Sequence, residues 1–180
     1  AFRLAAEMGA DGVELDVQLS RDGELVVAHD ETIDRVSNGT GYIKDYTLAQ
    51  LKKLSFNRLF PAFKDARIPA LKEVYELLKP AGLTVNVELK TGIILYPEIE
   101  EKVLALTASM GMEDRVIYSS FNHYSVQKIL ELDGKAQCAY LYSDVFLNVD
   151  KYARETGVCG LHPAVYHLKM PAFYTLPGAA

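Results

Sequence analysis

An α/β fold on a parallel sheet, a barrel of the TIM (β/α)8 type, is what this sequence predicts. Strand-like runs alternate with helical stretches from about residue 83 onward, in βα units of about 20 to 30 residues. Charged side chains gather at the C-terminal ends of the strands, where a barrel carries its active site. The sequence has no glycine-rich phosphate loop of the kind that opens a nucleotide-binding doubly wound sheet. At 180 residues the chain has room for one domain with a substantial core.

The elements follow in order. Phe2 to Gly9 reads as the last turns of a helix with no N-cap before it, and Gly9 suits its C′ position. A chain that opens inside a helix is expected to be truncated. Residues 11–19 alternate as a strand, and a second strand is expected at 25–29. Residues 30–69 carry turn signals at Thr32, Asn38-Gly39, Gly41 and Pro61, with one short capped helix from Thr47 to Leu54. This stretch is predicted to be a small insertion. Ile68-Pro69 leads into a helix through Lys79, which Pro80 and Gly82 end. A strand at 83–89 then precedes a helix at about 97–110, with Ile99, Val103, Leu104, Leu106 and Met110 on its apolar stripe. Strands at 115–119, 136–141 and 157–161 alternate with helices near 123–132 and 145–155. A last helix is not clearly formed.

Composition narrows the function. The chain is 49% hydrophobic and 24% charged, with a formal net charge of −5. Lysine and arginine are scattered, so no stripe points to nucleic acid or to an anionic membrane surface. No apolar run is long enough to span a bilayer. The expected partner is a small molecule, with no stable membrane insertion; the oligomeric state is left open. Cys138 and Cys159 sit in apolar strand-like runs and are expected to be buried free thiols. The start lacks the charged region and cleavage site of a signal peptide. Together these features suit the cytoplasm.

The chemistry concentrates in Gly12-Val13-Glu14-Leu15-Asp16-Val17, followed by Asp22-Gly23 and Val26-Val27-Ala28-His29-Asp30. Period-two alternation puts Glu14, Asp16 and Gln18 on one face and branched residues on the other. Adjacent carboxylates repel, and a divalent cation bound through oxygen is an economical counter-charge. A two-residue Asp22-Gly23 loop would pair Asp16 with His29. A three-residue loop would send His29 to the opposite face, and a plain exposed hairpin would show the same polar side. Leu83-Thr84-Val85-Asn86-Val87-Glu88-Leu89-Lys90 repeats the pattern, with Asn86, Glu88 and Lys90 on one face. A surface Glu88–Lys90 pair would account for part of it. A third metal carboxylate beside an ammonium that meets an anionic substrate accounts for all of it. Asp30 either orients His29 or caps the insertion. His123 and His167 read as surface or capping residues. His162 is either a rim residue or a loop histidine with no role.

Taken together, Gly12-Val-Glu14-Leu-Asp16-Val, Asp22-Gly23, Val27-Ala-His29-Asp30 and Asn86-Val-Glu88-Leu-Lys90 resemble the glycerophosphodiester phosphodiesterase family. Arg35 to Gly41 resembles the start of that family's insertion, Leu71 to Leu78 the helix after it, and Ser119-Ser120-Phe121 a barrel loop. The resemblance covers roughly residues 1 to 162. It implies a (β/α)8 barrel of the phospholipase C-like phosphodiesterase type, partial over residues 1–180. It implies metal-dependent hydrolysis of glycerophosphodiesters to glycerol 3-phosphate and an alcohol, in lipid and glycerol metabolism. It further implies Mg or Ca held by Glu14, Asp16 and Glu88, and His29 as general acid. Lys90 would stabilise phosphoryl charge, and Phe121 would line the pocket. The family's first strand, with its His-Arg-Gly and Glu-Asn-Thr runs, has no match here. Nor does its Trp-containing C-terminal run, and the tail from Tyr174 does not fit the expected continuation. A fragment inactive by itself is therefore expected. Two alternatives stay open: a sphingomyelinase- or phospholipase D-like diesterase, and a non-catalytic fragment that binds metal and phosphate.

Overall fold

The computed structural model describes residues 1–170, and the tail from Tyr174 lies outside the described residues. Its centre is a six-stranded sheet. In chain order the elements are α1 (Phe2–Glu7), β1 (Gly12–Leu19), β2 (Leu25–Val27), α2 (Leu48–Leu51), α3 (Leu71–Leu78), β3 (Thr84–Leu89) and α4 (Ile99–Ser109). Then come β4 (Val116–Ser120), α5 (His123–Leu132), β5 (Gln137–Tyr142), α6 (Val149–Thr156) and β6 (Gly160–Pro163). The order across the sheet is β2-β1-β3-β4-β5-β6. Only β2 runs antiparallel, as the second arm of the hairpin it forms with β1. The other five strands are parallel neighbours, each joined to the next through a helix-bearing connection. This is the succession of a partial (β/α)8 barrel.

Burial follows the period-two pattern. Leu15, Val17 and Leu19 of β1, Val85, Val87 and Leu89 of β3, and Tyr118, Cys138 and Tyr140 of β4 and β5 face one way. There they meet α3 through Leu71, Val74, Tyr75 and Leu78, α4 through Ile99 and Val103, and α5 through Val126 and Ile129. The opposite face is the polar one, and on it lies the site. Residues 30–69, the stretch expected as an insertion, pack Ile33, Ile43, Leu51 and Ile68 around Val26 of β2 in a second small core. Thr47 caps α2 by accepting from the Gln50 amide, and the Gln50 side chain accepts from the Thr47 amide. Such a cap contributes about 1 kcal/mol to a short helix.

Four expectations are corrected. Strand β2 stops at Val27, not at residue 29, because beyond the Ala28 amide the chain bonds to the Gln18 side chain, through the Ala28 and Asp30 carbonyls, and not to the β1 backbone. Strand β6 begins at Gly160, later than residue 157. Gly157 still ends α6 there, at a φ of +81° that side-chain-bearing residues seldom adopt. Cys159 is exposed, although Cys138 is fully buried as expected; both thiols are free. His167 is also buried, with Nε2 3.1 Å from the Ser143 carbonyl, where a surface or capping position was expected.

Candidate active site

The parallel pairing of β1 with β3 aligns Glu14 with Asn86 and Asp16 with Glu88. This register sets the three acids side by side at the C-terminal end of the sheet. One carboxylate oxygen from each of Glu14, Asp16 and Glu88 lies within 4.8 Å of the other two. Lys90 follows β3, and its Nζ sits 3.2 Å from Glu88 Oε1 and 3.6 Å from Asp16 Oδ1. The Lys90, Asp16 and Glu88 side chains are only 15%, 12% and 11% exposed.

Charge at this cluster is not balanced by the protein. Burial pushes the Glu14 carboxyl above its ordinary value, and the Asp16 and Glu88 charges add to the effect. Burial likewise raises Glu88, Lys90 opposing and Asp16 reinforcing. Burial alone would lower Lys90, but the Glu88 and Asp16 charges hold its ammonium above the usual range. Two buried polar atoms on the same stretch of sheet, Asn86 Oδ1 and Ser119 Oγ, have no protein partner. Ser119 is register-paired with Glu88. A site that leaves such atoms open is built for a polar occupant. Three hard oxygen donors with surplus negative charge fit a divalent cation such as Mg or Ca.

His29 reaches this cluster by a route that pairing alone does not give. The hairpin register is Val17↔Val27 and Leu19↔Leu25, so the loop has three residues, Arg21-Asp22-Gly23, and not two. Gly23 takes the left-handed position, φ +77°. This register sets Asp16 opposite Ala28, whose amide donates to the Asp16 carbonyl at 3.0 Å. Parity would turn His29 away, but pairing with β1 goes no further than Ala28. Gln18, fully buried, takes over: its Nε2 donates to the Ala28 and Asp30 carbonyls, each at 2.8 Å. Its Oε1 accepts from the Tyr96 hydroxyl at 2.8 Å. His29 is left 69% exposed and close enough for its charge to lower both Glu14 and Glu88.

Asp30 touches both His29 and the stretch expected as an insertion. Its Oδ1 lies 2.8 Å from His29 Nδ1, and Arg35 of the insertion grips both its oxygens, at 2.6 and 2.9 Å. The Arg35 hydrogen bonds pull the Asp30 carboxyl down to about 2. It is therefore a permanent carboxylate near neutrality, and the His29 nitrogen beside it must carry a proton.

The far side of the site comes from β4, β5 and β6. Ser120 Oγ donates to the Leu89 carbonyl at 2.7 Å and accepts from the Asn122 amide at 3.0 Å. Asn122 Nδ2 donates to the Thr91 carbonyl at 3.2 Å. These bonds fix Phe121, 53% exposed, one residue beyond β4. His162 lies within β6 on the polar face, half-buried, and burial lowers its pKa. Sequence reasoning missed the work of Gln18, Ser119 and Tyr96. Gln18 gave the one signal available, a long polar side chain two residues after Asp16 on the same face.

Residues 1–172 match the model of the glycerophosphoryl diester phosphodiesterase family. A glycerophosphodiester phosphodiesterase of Caldanaerobacter subterraneus subsp. tengcongensis is 44% identical over 169 residues, 93% of this chain and 70% of that protein. Among solved structures, a glycerophosphodiester phosphodiesterase from Agrobacterium tumefaciens is 29% identical with a TM-score of 0.77, covering 96% of this chain and 72% of its own. An Oleispira antarctica phosphodiesterase in complex with the product sn-glycerol-3-phosphate is 26% identical with a TM-score of 0.78, over 93% and 71%.

Proposed function

Because the chain belongs to the glycerophosphoryl diester phosphodiesterase family, we propose that its site hydrolyses glycerophosphodiesters to glycerol 3-phosphate and an alcohol. The observation that carries this is the meeting of Glu14, Asp16 and Glu88 within 4.8 Å, with Lys90 beside them. The product-bound Oleispira antarctica relative supports the substrate class.

Glu14, Asp16 and Glu88 would hold a divalent metal, Mg or Ca. When bound, the metal draws charge from the phosphoryl oxygens and so eases attack at phosphorus. Lys90 binds a non-bridging phosphoryl oxygen and stabilises the charge that grows there. His29, oriented through Nδ1 by Asp30, presents Nε2 to the leaving oxygen and gives it a proton. A water oxygen forms the new bond to phosphorus and loses its proton to solvent, the breaking P–O bond leaves its electron pair on the leaving oxygen, and His29 ends as neutral imidazole. Gln18 is a positioning residue, holding the backbone on both sides of His29. Phe121 walls the alcohol side.

Incubation of the full-length protein with glycerophosphoglycerol tests this reading. Glycerol 3-phosphate should be released, EDTA should stop the release, and Mg or Ca should restore it. Glu14→Ala should lower turnover by at least about a hundredfold. Phosphorus NMR should show an open monoester. A cyclic product, or release indifferent to EDTA, contradicts the assignment.

A further inference from the structure

The connection from β3 to α4 begins with Lys90 and, further on, buries Tyr96. Ile94 and Tyr96 pack inward against the main core, while Ile93 and Leu95 stay exposed. Pro97 keeps the Tyr96 backbone out of the helical region. Glu98 then turns the chain through a left-handed φ of +60°, and α4 starts at Ile99. Within the first turn of that helix, Lys102 Nζ donates to the Gly23 carbonyl at the hairpin tip, at 3.1 Å. The same stretch of chain therefore grips the β1–β2 hairpin at its tip through Lys102 and near the site through Tyr96.

The grip of Tyr96 falls on Gln18. Its hydroxyl donates to Gln18 Oε1 at 2.8 Å. The protons on Gln18 Nε2 go to the Ala28 and Asp30 carbonyls, so the amide has one orientation and Oε1 can only accept. Burial holds the Tyr96 hydroxyl above the usual tyrosine range, and the Glu31 and Asp45 charges add to this, so it stays a donor. Gln18 is fully buried, and loss of the hydroxyl would strip a buried oxygen of its donor.

Gln18 also stands between the two groups that divide the work on the diester. Strand β1 lies between β2 and β3. Gln18 on β1 and Lys90 after β3 each follow the Val17↔Leu89 pair. On the other side, His29 sits between the two carbonyls that Gln18 holds. Lys90 does not need Tyr96: Glu88 and Asp16 flank its ammonium, and its amide donates to the Val17 carbonyl at 3.1 Å.

We propose that Tyr96 is a positioning residue for proton transfer: through Gln18 it sets His29 at the distance from Lys90 at which the imidazole meets the leaving oxygen of a phosphoryl group held by the ammonium. The inference rests on the phosphodiesterase reading above. Loss of the Tyr96 hydroxyl falls on protonation of the leaving group and not on binding of the phosphoryl group.

Two diesters of glycerol 3-phosphate separate this role from plain packing in the full-length protein. In glycerophosphoglycerol the leaving alkoxide needs a proton from His29, whereas p-nitrophenolate leaves the p-nitrophenyl ester without one. Tyr96→Phe should keep KM within about twofold and lower kcat roughly tenfold more on glycerophosphoglycerol than on the p-nitrophenyl ester. Gln18→Met should show the same split, and the double variant should lose no more than Gln18→Met alone. Equal losses on both esters, no loss on either, or losses that multiply in the double variant overturn the proposal. Proton NMR of the histidine rings tests it without turnover. The His29 signals should shift or broaden in Tyr96→Phe while those of buried His167 stay in place. Unmoved His29 signals overturn the proposal. No glycerol 3-phosphate from either ester with the unaltered protein contradicts the phosphodiesterase reading instead.

Discussion

Glu88 shows what the site costs its fold. Its carboxyl titrates above the ordinary 4.5, foremost because it is buried. The folded state thus holds the proton more tightly than the unfolded chain, and ionised Glu88 destabilises the metal-free protein at neutral pH. That destabilisation fades as pH falls through the raised value and is absent below about 4.5. In EDTA, thermal melts should therefore find Glu88→Gln more stable than the unaltered chain at pH 7, with the gap closing by pH 4.5. A gap that widens towards acid would show that Glu88 is held by its Lys90 pair and not strained by its neighbours. Each acid was legible in the sequence from alternation alone, because strand parity is a local property. The surplus of charge was not, because it depends on β1 and β3 lying side by side.

At the level of elements, the hairpin separates what is local from what is not. Alternation gave β1 and β3 their faces, and the Asp-Gly pair gave the turn, but its length was left between two and three residues. The structure takes the three-residue loop. Ser20 Oγ donates to Asp22 Oδ1 at 2.6 Å, and the Leu48 amide of α2 donates to the same oxygen at 2.9 Å. Contacts with the insertion hold the turn, and no pattern within the hairpin encodes them. His29 was placed near the acids for a reason the structure replaces: not by pairing with Asp16 but by Gln18 and Asp30 after β2 has ended. Strands β5 and β6 give a second contrast. Their apolar runs made both cysteines read as buried, yet only Cys138 has a helix over it. Burial pushes its thiol up to about 12, so it carries essentially no thiolate near neutral pH. A disulfide reagent at pH 8 should label one thiol, Cys159, in the native protein and a second only after denaturation. Two fast thiols, or labelling that Cys159→Ser does not remove, would contradict the packing of β5.

Over the whole molecule, the βα rhythm was enough to give the order of the parallel strands, because each short connection must return to a neighbouring position. An aromatic cavity of about 550 Å³ where β4 and β5 end was hidden from the same inspection. Tyr124 lies in the first turn of α5, Tyr142 ends β5 and Phe146 is on the loop after it, and eleven tyrosines spread along a chain read as packing. Only the fold brings these three rings to one cavity. One sheet end thus gathers the acids from β1 and β3, a lysine after β3, a histidine after β2 and an apolar wall after β4. The function proposed for the molecule depends on the acids acting as one metal centre. Calorimetric titration of Mg and Ca into the metal-free chain decides that. A single site per chain is predicted, lost in a folded Glu14→Gln/Asp16→Asn/Glu88→Gln variant. Unchanged binding heat in that variant, or no binding by the folded unaltered chain, would contradict it.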